Sequence, residues 1–138
     1  MKKAGNFIEP EARLRRAGLR PTQQRLALAG LLWQGGDRHV TPEILYQEAT
    51  KKGIKVALGT IYNTLHQFTD AGLLRELALE SGRRYFDTNI GNHHHFYDPQ
   101  SGSLIDIPES ILSKASMPEA PRGMKIHRVD VVIHLSKK

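Results

Sequence analysis

Residues 58–74, LGTIYNTLHQFTDAGLL, decide how the chain is read. Ile61, Leu65 and Phe68 recur at i, i+4 and i+7, the spacing of one buried helix face, and Ala71-Gly72 supplies a stop. The opposite face carries Tyr62, Asn63, His66, Gln67 and Asp70. A polar helix face alone is an ordinary solvated surface. Its neighbours in the chain must decide whether it reads something.

Downstream, LLRELALESGRRYFD (73–87) has the pattern of two short strands joined at Ser81-Gly82, with Arg83 and Arg84 at the tip. Upstream, HVTPEILYQEATKKG (39–53) offers Thr41 as N-cap, Pro42 at the first helical position, an inward face of Ile44, Leu45 and Ala49, and Gly53 as terminator. In LRPTQQRLALAGLLWQGG (19–36), Thr22 can cap a core helix bearing Leu28, Leu31 and Leu32 that Gly35-Gly36 ends. EPEARLRRA (9–17) gives a short basic helix closed by Gly18. Three helices, the last two divided by a short connector, then a hairpin with a basic tip, is the order of a winged helix-turn-helix. Such a helix fits the major groove, where Tyr62, Asn63 and Gln67 would meet base edges while the arginine-tipped wing meets phosphates.

Charge agrees with that placement. Residues 1–88 carry 14 basic and 9 acidic side chains, against 6 and 5 in residues 89–138, so the first part is the one suited to a polyanion. At 138 residues the chain holds one domain or two small ones. It has no cysteine, which excludes disulfides, thiolate zinc and a cysteine nucleophile. No stretch has the length and apolarity of a membrane span or a secretory signal, so a cytoplasmic protein without a membrane partner is expected.

A composition shift at Thr88-Asn89-Ile90-Gly91-Asn92 separates the helix-rich part from a strand-rich one. The expected organisation is α+β: a winged-helix DNA-binding domain over 1–88, a hinge over 89–92, and a small α/β dimerisation and ligand-sensing domain over 93–138. In the last, HHHFYD precedes a PQSG turn and SLIDIP, a short helix is expected near Glu109 to Ala115, and HRVDVVIHL (127–135) predicts a long strand with Val129, Val131, Ile133 and Leu135 on one face. About 50 residues with so few elements are marginal alone, which points to a homodimer.

Three adjacent imidazoles serve no packing purpose, and GNHHHFYDPQSG (91–102) is read as a metal or cofactor site. On a strand, His93 and His95 share one face and His94 takes the other. Two imidazoles rarely make a shell, so His39, Asp87, Asp106 and His127 are the candidates to complete it. A hydrolytic metalloenzyme is disfavoured, because no carboxylate or histidine remains in a general-base position beside an apolar pocket. A winged helix that binds protein rather than DNA is the other rival.

The segments AGLRPTQQRLALAGLL, HVTPEILYQEA and LGTIYNTLHQFTDAGLL together resemble the ferric uptake regulator family in order, spacing and residue type, and the resemblance runs from about Ala17 to the last strand. It implies a dimeric, metal-responsive repressor of double-stranded DNA operators. It also implies a regulatory site of His39, Asp87, His93 and His95 tying the two domains together, and a second site of His94, Asp106 and His127. By the same resemblance the recognition helix starts near Gly59-Thr60, Thr60, Tyr62 and Asn63 lie nearest the bases, and Arg20 and Arg25 lie near the backbone. Many members hold structural zinc with cysteines where Asp98 and Ser101 stand here. The cysteine-free HHH run is similar to the iron response regulator (Irr) branch, which implies haem at His93 to His95, DNA binding at low iron and release by haem. The alternative is a sensor in which divalent Fe, Mn or Zn at the same residues promotes DNA binding.

Overall fold

In the computed structural model, which describes residues 9–79, 82–91, 94–107 and 117–138, the chain begins with α1 (Pro10–Arg16) and α2 (Gln23–Trp33). It continues through β1 (His39–Val40), α3 (Pro42–Lys51), α4 (Leu58–Asp70), β2 (Arg75–Ala78) and β3 (Arg84–Asp87). These belong to one compact unit, Met1–Ile90; a second, Gly91–Lys138, holds β4 (His94–Asp98), β5 (Ser103–Ile107) and β6 (Val132–His134). Among the described residues no helix is long and apolar enough to cross a membrane.

Local chemistry accounts for the helix ends. Thr22 Oγ1 accepts from the Arg25 N–H at 3.2 Å, and Thr41 Oγ1 from the Ile44 N–H at 3.1 Å, each satisfying one orphan donor of the first turn. Gly72, at φ 81°, lets the chain turn back so that the Leu73 N–H reaches the Phe68 carbonyl at 2.8 Å, which ends α4. Removing one such cap gives a modest, measurable loss. Thr41→Ala should lower the unfolding free energy of the first unit by about 1 kcal/mol in urea titrations, with no change in the denaturant slope.

The core of the first unit is built from Leu14, Leu28, Leu32, Leu45, Ile61, Leu65, Phe68 and Phe86, all fully buried. Trp33 packs its ring 5.7 Å from that of Phe68, and the Arg13 guanidinium lies 4.8 Å over the Trp33 ring. Ile44, expected inward, is exposed: Leu45 and Ala49 take the buried stripe of α3, and a residue next to Leu45 is rotated by about 100° from it.

The hairpin is wider than its sequence suggested. β1 adds to it, giving a sheet in the order β1-β3-β2 with His39 opposite Asp87 and Val40 opposite Phe86. Arg38 fixes this strand. Its guanidinium forks onto Glu48 of α3, with Nη1 to Oε1 at 2.9 Å, and its main chain pairs with Thr88 through the Thr88 N–H at 3.0 Å. The turn residues 80 and 81, with Ser81, lie outside the described residues.

In the second unit the sheet order is β5-β4-β6, with β4 antiparallel to β5 and parallel to β6. Asp98 closes the β4–β5 turn: Oδ1 accepts from the Gln100 N–H at 3.0 Å and Oδ2 from the Ser101 hydroxyl at 2.9 Å. The expected helix near 109–115 and His93 both lie outside the described residues. The long strand over 127–135 is corrected to Val132–His134, because the ladder forms only where His95–Tyr97 of β4 offer it a partner. Ile105, Ile133 and Leu135 keep their side chains exposed.

Candidate functional site

Strand register assembles one histidine–carboxylate pair in each unit. In the first, His39 and Asp87 are direct cross-strand neighbours, whose side chains share a face, and His39 Nε2 lies 3.2 Å from Asp87 Oδ2. Asp87 is 2% exposed, and its Oδ1 accepts from the Asn89 N–H at 2.9 Å. One carboxylate oxygen is thus tied to the backbone just beyond β3, and the other faces an imidazole. The Arg38–Glu48 fork next to His39 holds the strand that presents the ring.

In the second unit, His95 sits opposite Asp106, with Nε2 3.3 Å from Oδ1. His95 is buried and Asp106 half-buried. His94 points to the other face, opposite Ile107, and its Nδ1 accepts from the Val131 N–H at 3.2 Å. This corrects the expected grouping of His94 with Asp106 and His127. Asp106 belongs with His95, because the turn sets a register one residue away from the one that grouping needs. His127 is exposed, and the described residues do not gather it with His94 and Asp106.

Imidazole nitrogen with carboxylate oxygen is a donor set suited to Mn, Fe or Zn as divalent ions. Among the described residues, neither unit by itself brings together three such donors. Each pair offers two ligands, and these ions take four to six.

The first unit also carries an open groove of ≈ 300 Å³ between α2 and α4, lined by Thr22, Gln24 and Arg25 on one side and by Thr60, Asn63 and Gln67 on the other. Arg25 is oriented over it, with Nη1 donating to the Arg20 carbonyl at 2.9 Å and Nη2 to Gln67 Oε1 at 3.1 Å. On the same helix the Tyr62 hydroxyl donates to Glu43 Oε2 at 2.8 Å. That hydrogen bond, with lesser help from desolvation and the carboxylate charge, pushes the phenol above its ordinary pKa. Arg20 and Arg83 are exposed, and Asn63 projects outward from α4. Arg84 stands at the first position of β3 and donates from Nη1 to Glu76 Oε2 at 2.6 Å, so its charge is already matched within the hairpin. Glu76 also lies 3.5 Å from His66 Nδ1.

Sequence reasoning passed over Glu43, Glu76 and Arg38. Glu43 has the look of a residue chosen for the helix dipole, an acid in the first turn of α3, and only the packing of α3 beside α4 brings it to Tyr62.

The profile of the Ferric uptake regulator family matches residues 16–134. The chain is 36% identical over 99 residues to the peroxide-responsive repressor PerR of Staphylococcus epidermidis (strain ATCC 12228 / FDA PCI 1200), a match covering 72% of this chain and 65% of that protein. It is 31% identical over 115 residues to the ferric uptake regulation protein of Shigella flexneri, covering 82% of this chain and 78% of the relative. Among solved structures, the ferric uptake regulator from Pseudomonas aeruginosa with manganese superposes with a TM-score of 0.76 at 27% identity, covering 95% of this chain and 99% of that one.

Proposed function

Because the chain belongs to the ferric uptake regulator family, we propose that it is a metal-responsive transcription regulator that binds operator DNA as a homodimer. The observation that carries this reading is the histidine–carboxylate pair in each unit, His39 with Asp87 and His95 with Asp106. Two imidazoles and two carboxylates would satisfy a divalent ion and cancel its charge, whereas either pair alone would leave its shell half filled. One ion taken by both pairs would favour a single disposition of the units. A ligand shifts such an equilibrium only by the difference in its affinity for the two states.

In this reading residues 1–88 are a winged helix whose α4 enters the major groove. Thr60, Tyr62 and Asn63 meet base edges there, Arg20 and Arg25 meet the backbone, Arg83 acts from the wing, and Arg84 joins it by exchanging Glu76 for a phosphate. Residues 93–138 pair with a second copy, which would cover the exposed apolar side chains of β5 and β6, and 89–92 is the hinge. A divalent ion, when bound, would supply positive charge to the imidazole and carboxylate donors; the residues of the chain orient those donors, with the Asn89 N–H holding Asp87 and the Arg38–Glu48 fork holding the strand that bears His39.

Haem is the second ligand to consider, as in the iron response regulator branch, with release from DNA as its effect. The support for it is the histidine run itself. Against it stand the burial of His94 and His95 and the hydrogen bond already held by His94 Nδ1. The two readings differ in sign. Mn2+, Fe2+ or Zn2+ should tighten binding to duplexes selected from a random pool; haem should weaken it and shift a Soret band. DNA affinity indifferent to all three ions would overturn the metal reading, and affinity that barely changes with salt would overturn DNA binding by arginine contacts.

A further inference from the structure

The Tyr62–Glu43 hydrogen bond joins the reading face of α4 to an acid on α3. An ionised carboxylate can only accept, and a phenol has one proton to give. With that proton donated to Glu43, the lone pairs left on the Tyr62 oxygen can only accept as well. A phenol holds its proton at neutral pH, and the hydrogen bond to Glu43 raises its pKa further. Thr41 already caps α3, so Glu43 is not needed for that task. Asn63, the exposed neighbour of Tyr62, carries both a donor and an acceptor and suits adenine N6 and N7, so the Tyr62–Glu43 pair would act on a separate position of the motif.

We propose that Glu43 is a specificity-determining residue: the Tyr62–Glu43 pair presents acceptors only, so it selects a base edge bearing an exocyclic amino group, adenine N6 or cytosine N4. In the major groove guanine offers O6 and N7 and thymine offers O4, all acceptors, which would face the pair without a proton between them. The inference rests on the reading of α4 as the helix that enters the groove.

Selection of duplexes from a randomised pool by the full chain, with and without Mn2+, tests both. The wild-type protein should enrich a motif in which one position is restricted to adenine or cytosine. E43Q replaces one carboxylate oxygen by an amide donor, so the pair no longer presents acceptors only and the phenol can accept from the amide and turn its own proton to the base, and Y62F removes the hydroxyl. Each should level preference at that one position, a loss of about tenfold in discrimination, while the rest of the motif persists. A motif left unchanged by both variants would overturn the role of Glu43 and leave DNA reading intact. So would a uniform loss of binding by E43Q protein that melts like the wild type. Failure of the wild-type chain to enrich any motif would overturn the DNA-reading function itself. Should E43Q fail to fold, Y62F alone decides, since it leaves the acid in place.

Discussion

Asp87→Asn is expected to abolish the metal dependence of DNA binding. The substitution is nearly isosteric: the amide carbonyl can still accept from the Asn89 N–H, as Oδ1 does at 2.9 Å. What disappears is the charge, and with it the oxygen that now faces His39. Residues outside a metal's own ligands already alter affinity about 10–100-fold, so loss of a ligand should weaken Mn2+ or Zn2+ binding by about 100-fold or more in calorimetric titration. His95→Ala should cost as much if one ion uses both pairs. Two independent ions would instead leave each variant with one intact binding step, and unchanged affinity in both variants would remove these pairs from the sensing site. Arg75 lies opposite Asp87 on β2 and is buried, so the loss of a neighbouring negative charge also affects stability. Thermal unfolding of the metal-free protein reads that cost separately.

Phe68→Ala should have the largest effect on folding. Its side chain is fully buried on the core face of α4, beneath the face that carries Tyr62 and Asn63, and truncation leaves a cavity beside Trp33. Such changes cost about 3–5 kcal/mol, a large part of the roughly 5–15 kcal/mol that holds a domain together. At about 4–8 °C per kcal/mol, the melting temperature should fall by tens of degrees. Trp33 is the one tryptophan of the chain, so its fluorescence reports the transition from beside the altered position. A fall of only a few degrees would mean that the core closes over the gap.

The helices were legible because each carries its own signals: Thr22 and Thr41 as caps, Pro42 at the start of α3, Gly72 at the end of α4. β1 was not. Two residues between a loop and a cap have no periodicity, and His39–Val40 become a strand only through β3, far along the chain. The failure over 127–135 is the reverse: the alternation is present, but hydrogen-bond partners exist for a short part of it. The candidate site shows the same limit. Alternation separates His94 from His95 correctly, yet which of them meets Asp106 depends on register, which the Pro99–Gly102 turn sets and a period of two cannot reveal. Glu43 and Tyr62, 19 residues apart, meet through helix packing that no local pattern encodes.

The turn that Asp98 and Ser101 close bears on when the protein can work. Oxygen and nitrogen atoms alone hold it, and these 138 residues contain no thiol. Oxidants that drive cysteine to disulfide or sulfinic acid have no target in this chain. With aspartate and serine in the place of thiols, this corner is tied by hydrogen bonds that do not depend on redox state.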